Sequence, residues 1–245
     1  MADNLLKMKG SGGPNGGLAY SVVIPVFNEQ YSLGLLFCEL LNVLTPLKVP
    51  YEIIFVNDCS DDQSGMTLDR FSREFPEAVK LVNLTQRSGQ TEALRAGLQE
   101  SCGKTIFTLD ADLQNDPADI PKLIKELNKG FDCVCGWRKS RYDTKLKTLL
   151  SKLGNIMQRA ITGLQIHDVS CTLRAYKREC LSSVPLNWPG QHRFIPLSLS
   201  LSGYKISEIE SNHRKRRFGA SKYSHKRIFK VIMDFFRILS ERGKQ

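Results

Sequence analysis

The first half of the chain alternates short apolar runs with segments of helical periodicity. Four apolar runs lie at residues 20–25, 51–57, 79–84 and 105–109. Between them, apolar side chains recur every three or four residues, which is the spacing of amphipathic helices. Strands that are apolar on both faces and alternate with helices predict a mostly parallel sheet. We therefore expect an α/β fold in which helices flank a central sheet.

Polar residues follow three of these runs, at positions 28–29, 57–58 and 110–112. Parallel strands present their carboxyl ends at one edge of a sheet, and ligands bind beyond that edge. We therefore expect the three polar clusters to converge there. Their convergence is stronger evidence for a binding site than any one cluster alone.

Asp110 and Asp112 are a candidate metal-binding pair. If the chain stays extended there, residues at i and i+2 share a face, and Gln114 joins them if the turn continues. Oxygen ligands at a strand end suit Mg²⁺ or Mn²⁺, and such an ion also holds substrate phosphates. The alternative is a solvated acidic loop, because an Asp-x-Asp pattern is common.

The sequence lacks the glycine-rich motifs of two large classes of nucleotide-binding protein. Pro-Val-Phe-Asn-Glu follows the first apolar run, where a dinucleotide-binding protein carries G-x-G-x-x-G. A glycine-rich phosphate loop that ends in Lys-Ser or Lys-Thr is also missing. Any nucleotide must therefore be bound by other means.

Composition narrows the class of partner. The 245 residues include 35 Lys and Arg against 25 Asp and Glu, a net charge of +10 that favours nucleic acid, nucleotide phosphates or a lipid surface. The seven cysteines form no C-x-x-C pair, which indicates reduced thiols in a cytosolic protein. A helix needs about 18 apolar residues to span a bilayer, and no apolar stretch of this sequence is that long. The N-terminus lacks a signal-peptide core.

Two basic or amphipathic segments end the chain. The run 212–223 is open to three interpretations: a solvated patch, a nucleic-acid arm, or a phosphate clamp in which Arg216 and Lys222 hold a diphosphate or a lipid phosphate. The apolar helical pattern at 226–241 predicts either a helix docked on the domain or an interfacial helix on lipid. We divide the chain into a flexible leader (1–18), a catalytic domain (19–225) and an amphipathic helix (226–245).

Six stretches together resemble the family 2 glycosyltransferases. They are residues 24–29, 56–58, 89–90, 109–117, 171–176 and 216–223. The last two resemble more specifically the polyprenyl-phosphate glycosyltransferases, the branch that includes dolichol-phosphate mannose synthase and the undecaprenyl-phosphate aminoarabinose transferase. The resemblance runs from about residue 20 to residue 234. It implies the GT-A type of nucleotide-sugar-binding fold.

The resemblance also implies roles for individual residues. The nucleotide sugar is expected to contact Pro25, Phe27, Glu29, Val56, Asp58, Gln90, Ala111 and Arg138. The divalent metal, Mg²⁺ or Mn²⁺, and the diphosphate are expected on Asp110, Asp112 and Gln114 beside Ala111. Arg216 and Lys222 are expected to contact phosphates of the donor or the acceptor, as is Arg138.

Two positions depart from the family pattern. Asn57 replaces the first Asp of the usual acidic pair, and Phe27 replaces a usual Tyr. An Asn both donates and accepts hydrogen bonds, so the choice between a UDP-sugar and a GDP-sugar stays open. Relatives of the aminoarabinose type carry two transmembrane helices after the Lys222 segment. This chain is therefore either a trimmed catalytic domain or a peripheral protein at the cytoplasmic face of the membrane.

The implied reaction is metal-dependent, inverting transfer of a sugar from a nucleoside diphosphate to a polyprenyl phosphate. The acceptor oxygen is already anionic, so the reaction needs no strong general base. Asp112 is expected to act through the metal, and Asp168 and Arg174 are expected to position the acceptor or the sugar. The alternative for Asp168 is a turn or cap carboxylate.

Two other functions stay open at this point. A transferase acting on a saccharide or protein hydroxyl needs a carboxylate base, for which His167-Asp168 is the nearest candidate. A nucleic-acid-binding protein would use the positive charge, but its acidic rim would repel phosphate in the absence of metal. We therefore expect no nucleic-acid partner.

Overall fold

The computed structural model describes residues 17–139, 163–182, 184, 186–218, 233–234 and 237–238. Most of the predicted leader, Lys222 and most of the predicted C-terminal helix lie outside these residues. The division of the chain into leader, catalytic domain and terminal helix therefore stays a prediction.

Seven strands form one sheet in the described part of the chain. They are β1 (Tyr20–Val26), β2 (Tyr51–Asn57), β3 (Val79–Asn83), β4 (Thr105–Thr108), β5 (Cys133–Trp137), β6 (Arg174–Lys177) and β7 (Ile206–Glu210). Their order is β3-β2-β1-β4-β6-β5-β7. Only β6 runs antiparallel to its neighbours β4 and β5 within this sheet. The predicted α/β fold with a mostly parallel sheet is confirmed.

Helices follow the strands as the periodicity predicts. Among the described residues, the α-helices are α1 (Leu33–Leu44), α2 (Ser64–Glu74), α3 (Gln90–Glu100), α4 (Ile120–Leu127), α5 (Arg178–Leu181) and α6 (Ile195–Leu201). Short 3₁₀ turns lie at Thr45–Leu47, Pro117–Asp119 and Gln191–Phe194. No helix among the described residues is both long and apolar enough to cross a membrane.

The sheet buries both of its faces, because successive side chains of a strand point to opposite sides. On one face, Ile24 and Phe55 pack with α1, α2 and α4. On the other, Val23 and Val56 pack with α3 and α6. A Cβ atom on Gly97 of α3 would collide with both valines, reaching Val56 Cγ2 at 2.9 Å. This close contact fixes α3, whose first residue is Gln90, against the sheet beside the carboxyl ends of β1 and β4.

The described residues of the C-terminal segment are helical and contact the domain. Ile238 and Asp234 are buried, whereas Met233 is exposed. The Arg237 guanidinium lies 4.9 Å from the ring centre of Trp188. These contacts favour the docked helix of the two predicted alternatives for the residues described.

Candidate active site

The carboxyl ends of β1, β2 and β4 meet at one edge of the sheet, as predicted. β1 pairs in parallel with both β2 and β4, which brings the chain after Val26, Asn57 and Thr108 together. Residues of two of the polar clusters bind neighbouring loops and helices at this edge. Asn28 Oδ1 accepts a hydrogen bond from the Asp61 N–H at 3.0 Å, and Gln90 Nε2 donates to Asp110 Oδ1 at 2.6 Å.

The acidic segment after β4 is a turn rather than an extended strand. Residues 111–112 are in a turn, and Leu113 has a left-handed backbone with φ of 63°. The Gln114 N–H donates to Asp112 Oδ1 at 3.1 Å, which closes the turn. The extended geometry that would place i and i+2 on one face is therefore not what brings the two carboxylates together; the turn does so.

Asp110 is held beneath this turn in a desolvated setting. Burial, and then the negative charge of Asp112, raise the pKa of Asp110 to about 6. A hydrogen bond with Thr172 and the positive charges of Arg138 and Arg174 act in the opposite direction on this pKa. A bound cation would relieve the repulsion between these two carboxylates, and we call the Asp110–Asp112 pair the cation seat.

The oxygen atoms that Asp110, Asp112 and Gln114 offer fit a divalent ion that also binds substrate phosphates. Among the described residues, no group of three or more His, Cys, Asp and Glu side chains could hold a metal. Mg²⁺ is commonly bound by one or two carboxylates together with substrate phosphates, so a complete protein cage is not required. Asp110 and Asp112, with the Gln114 amide oxygen, are the residues that would hold it.

Arg216 joins the acidic turn to the loop after β1. Its Nη2 lies 2.5 Å from Glu29 Oε1 and its Nη1 lies 3.4 Å from Asp112 Oδ2. Its Nε donates to the Phe218 carbonyl at 2.9 Å. Residues 213–217 line a cleft of about 420 Å³ next to these contacts. The predicted phosphate ligand Arg216 and the predicted nucleotide-pocket residue Glu29 are thus brought together.

Arg214 holds segment 213–217 through a second set of contacts. Its guanidinium binds both Glu39 carboxylate oxygens at 2.8 Å and Asp116 Oδ1 at 2.7 Å. Its N–H donates to the Gln114 carbonyl at 2.9 Å, and Asn115 forms a β-bridge with His213. Sequence reasoning did not identify Glu39 or Arg214 as site residues. Only the basic run 212–223 signalled this part of the site.

Arg138 and Asp168 bind each other. Arg138 donates from Nε to Asp168 Oδ2 at 2.7 Å and from Nη2 to Oδ1 at 3.1 Å. Nη2 also donates to Ser170 Oγ at 2.8 Å. Asp168 is fully buried. Both residues are predicted to contact substrate, and the structure places them in a bidentate ion pair with each other.

Arg174 lies in the core below Asp110 and is 3% exposed. Its guanidinium donates to the carbonyls of Val169 at 2.6 Å, His192 at 2.8 Å and Arg193 at 3.1 Å, and to the hydroxyl oxygen of Tyr176 at 3.3 Å. Its predicted role was to position acceptor or sugar. The observed contacts instead hold the backbone around residues 169 and 192–193.

Thr91 and His192 continue this buried network, and sequence reasoning missed both roles. Thr91 Oγ1 lies 2.7 Å from His192 Nδ1 and accepts a hydrogen bond from the Gly190 N–H at 2.8 Å. A small cavity of about 20 Å³ separates Arg174 and His192 from Asp110 and Gln90. The only signal for His192 in the sequence was its place in the aromatic and basic segment 188–196.

Five other residues were expected to contact the nucleotide. Phe27 has the Arg87 guanidinium 4.0 Å from its ring centre, and Pro25 lines the small cavity. Val56 and Ala111 are buried. The Asp58 carboxylate accepts backbone N–H bonds from Ser88 at 2.6 Å and Gly89 at 2.9 Å, so it shapes the loop that leads into α3.

Asn57, which departs from the family pattern, uses both ends of its amide. Its Nδ2 donates to Asn83 Oδ1 at 3.0 Å, and its Oδ1 accepts from the Ser60 N–H at 3.1 Å. A carboxylate could make the second bond but not the first. The substitution therefore joins β2 to β3 at the rim of the site.

Comparison with known proteins identifies the family to which this chain belongs. The family model described as glycosyl transferase family 2 matches residues 21–184. The chain belongs to glycosyl transferase family 2. The predicted membership is confirmed, and with it the assignment of the chain as a glycosyltransferase.

Two relatives match nearly the whole chain. The undecaprenyl-phosphate 4-deoxy-4-formamido-L-arabinose transferase of Pectobacterium atrosepticum is 37% identical over 220 residues, which cover 90% of this chain and 67% of the relative. The dodecaprenyl-phosphate galacturonate synthase of Rhizobium johnstonii is 34% identical over 236 residues, which cover 95% and 70%.

Solved structures share the fold. The glucosyl-3-phosphoglycerate synthase of Mycobacterium tuberculosis, in complex with Mn²⁺, UDP and glucosyl-3-phosphoglycerate, superposes with a TM-score of 0.67 at 19% identity over 92% of this chain and 80% of that one. A mannosyltransferase from Pyrobaculum calidifontis, in complex with GDP-mannose and Mn²⁺, gives 0.61 at 19% identity over 89% and 64%. The predicted GT-A fold is confirmed.

Proposed function

We propose that this glycosyltransferase transfers a sugar from a nucleoside diphosphate to a polyprenyl phosphate, with inversion at the anomeric carbon. The observation that carries the proposal is the contact between Arg216 and Asp112. This contact joins the Asp110–Asp112 pair, which we propose binds the cation, to the basic cleft that residues 213–217 line. A diphosphate donor suits the first and an anionic acceptor suits the second. Both relatives described above are named for polyprenyl-phosphate acceptors.

The reaction requires no proton transfer. An acceptor phosphate oxygen forms the new bond to the anomeric carbon, and the bond from that carbon to the donor's β-phosphate oxygen breaks. The electron pair leaves with the nucleoside diphosphate. The acceptor oxygen is already anionic, so no general base is needed. Mg²⁺ or Mn²⁺ held by Asp110, Asp112 and Gln114 would supply positive charge to the departing diphosphate.

The protein's own residues prepare this geometry. Gln90 fixes Asp110 by a hydrogen bond, and the turn at Asp112 is closed by the Gln114 N–H. The guanidinium of Arg216 can exchange a carboxylate for a phosphate, because both present the paired oxygens that a guanidinium binds. Arg216 is therefore the residue we assign to the acceptor phosphate. Lys222, which lies outside the described residues, is proposed to assist it.

The contacts of Asp168 weigh against transfer to a sugar or protein hydroxyl. That reaction needs a carboxylate base next to the hydroxyl. Asp168 is buried in its ion pair with Arg138. His167 stacks on Trp137 at 4.3 Å between ring centres and bonds Glu208. Neither member of the candidate dyad is arranged as a base.

The lipid acceptor places the reaction at a membrane surface, and we propose the cytoplasmic face. The basic residues of segment 213–217 suit anionic headgroups there. Nucleic acid is not a proposed partner, because the carboxylates of Glu29, Asp112 and Asp116 lie among these basic residues and would repel a long polyanion.

The first test is thermal stabilisation by UDP and by GDP, each with and without Mn²⁺. We expect one nucleotide to raise the melting temperature only when Mn²⁺ is present, which also identifies the donor. Asp112→Asn should lose this shift, whereas Asp69→Asn on α2 should retain it. Transfer of radiolabelled sugar into undecaprenyl phosphate then tests the reaction. An Asp112→Asn protein that folds and still transfers sugar at the wild-type rate would contradict the metal site.

A further inference from the structure

Two exposed aromatic rings lie side by side in the structure. Tyr31 is 70% exposed and Phe218 is 41% exposed. Their ring centres are 6.1 Å apart, and the rings are inclined at 37°. A single exposed apolar side chain is ordinary on a soluble protein, but adjacent exposed rings are a mark of a binding surface.

The pair lies next to the residue that we assign to the acceptor phosphate. Tyr31 is two positions after Glu29, which binds Arg216 Nη2. The Phe218 carbonyl accepts a hydrogen bond from Arg216 Nε at 2.9 Å. One guanidinium therefore contacts the chain segments of both rings, and an anion held by Arg216 would have an apolar surface beside it.

The surroundings of the pair are basic. Lys215 and Arg217, on either side of Arg216 in the chain, are exposed. A surface that combines adjacent aromatic rings with several positive charges is complementary to an anionic amphiphile, whose phosphate and hydrocarbon are joined end to end. A nucleotide sugar offers the charge but not the hydrocarbon.

We propose that Tyr31 and Phe218 bind the first isoprene units of the acceptor while the basic cleft holds its phosphate. The inference rests on the proposed function and adds the residues that select a lipid phosphate over a soluble one. The rings cover the hydrocarbon where it leaves the site. Burial of aromatic and prenyl carbon supplies the favourable free energy.

The test compares the double variant Tyr31→Gln/Phe218→Gln with Met66→Gln, which removes a different exposed apolar side chain on α2. Equilibrium binding of undecaprenyl phosphate in detergent and steady-state transfer are both measured. We expect the double variant to weaken lipid binding and raise the KM for undecaprenyl phosphate by about tenfold, or about 1.4 kcal/mol. The KM for the nucleotide sugar and the inhibition constant of methyl phosphate should stay unchanged, and Met66→Gln should match wild type.

Several results would overturn the inference. Unchanged lipid binding in the double variant would do so directly. A parallel rise in the KM for the nucleotide sugar would assign the rings to the sugar. Loss of binding to vesicles that lack polyprenyl phosphate would assign them to the membrane surface, and a change of oligomeric state to a second copy of the chain. Wild-type protein that binds undecaprenyl phosphate but transfers no sugar would contradict the proposed function alone, whereas failure to bind it would contradict both.

Discussion

The two sides of the Asp110–Asp112 pair are held by different forces. On the inner side, Thr91, Arg174 and His192 form a buried network whose partners are largely backbone carbonyls and neutral side chains, and Gln90 binds Asp110 beside it. On the outer side, Arg214 and Arg216 bind carboxylates at partly exposed positions. Buried hydrogen bonds are costly to leave unmade, whereas partly exposed ion pairs contribute little to stability.

This difference gives the two sides of the site different roles. The inner side keeps Asp110 in position, and the guanidinium groups of the outer side can exchange a carboxylate for a phosphate. On the inner side, the hydrogen bond from Gln90 holds Asp110 in place before any substrate binds, and the positive charge of Arg174 acts on the same carboxylate. The outer guanidinium groups can leave a carboxylate for a phosphate at small cost, because the solvent and the incoming anion replace what is lost. The inner side of the site is therefore fixed, whereas the contacts of the outer guanidinium groups can change when an anion binds.

The largest expected effect concerns the inner side. Arg174→Leu should lower the free energy of unfolding by about 3–5 kcal/mol, because it leaves several buried carbonyl groups without a donor. Urea denaturation measures this change. Arg216→Leu is the matched control, for which we expect a loss of about 1 kcal/mol or less. Equal losses of unfolding free energy in the two variants would contradict the distinction between the inner and outer sides of the site.

The second effect concerns the ionisation of Asp110 in metal-free protein. Its pKa is raised to about 6, so between about pH 4 and pH 6 the folded protein keeps a proton that the unfolded chain releases. This contribution to the free energy of unfolding therefore falls as the pH rises through that window. Asp110→Asn should remove it, and should gain about 1–3 kcal/mol on wild type from pH 4 to pH 7.

Denaturation of both proteins at a series of pH values measures this gain. Asp69→Asn should show no such trend relative to wild type. A constant difference between Asp110→Asn and wild type across the series would mean that Asp110 is not desolvated beside Asp112.

A smaller effect is expected at Thr91. Thr91→Val keeps the shape but removes the hydroxyl that accepts from the Gly190 N–H and contacts His192 Nδ1. We expect a loss of stability of about 1–2 kcal/mol, since two buried polar groups lose a partner. Thr67→Val on α2 provides a control for the threonine substitution itself. Indistinguishable losses for the two variants would exclude Thr91 from the supporting network.

The smallest effect is expected at Arg214. Arg214→Leu should cost about 1 kcal/mol or less in unfolding free energy, and the cost should shrink further in high salt because the ion pairs are partly exposed. Denaturation at low and high ionic strength tests this. A large, salt-independent loss would place Arg214 with the buried network and would contradict the comparison.

Local patterns predicted the fold and the position of the site. The strand ending before Asp110 and the helix beginning at Gln90 follow from periodicity within about a dozen residues, which the sequence displays directly. The parallel arrangement then places polar strand ends at one edge. These inferences need no knowledge of which distant residues meet.

The contacts inside the site depend on distant partners and escaped prediction. Arg214 meets Glu39 across 175 positions, and no local pattern links them. Arg138 and Asp168, which are both predicted to contact the substrate, form an ion pair with each other. The carboxylate of Asp58, which is predicted to contact the nucleotide, also accepts hydrogen bonds from the backbone of the loop before α3. In each case a side chain of suitable chemistry has a partner that only tertiary packing reveals.

The 187 positions between Glu29 and Arg216 have a consequence for synthesis. The N-terminal part of a chain leaves the ribosome first during synthesis. Strands β1 and β4, which Glu29 and Asp112 follow, are therefore made before Arg216 is translated. A nascent chain at that stage has an acidic rim without its guanidinium partner. We expect a nascent chain that ends before Arg216 not to bind the acceptor phosphate, because the guanidinium that we assign to that phosphate is not yet present.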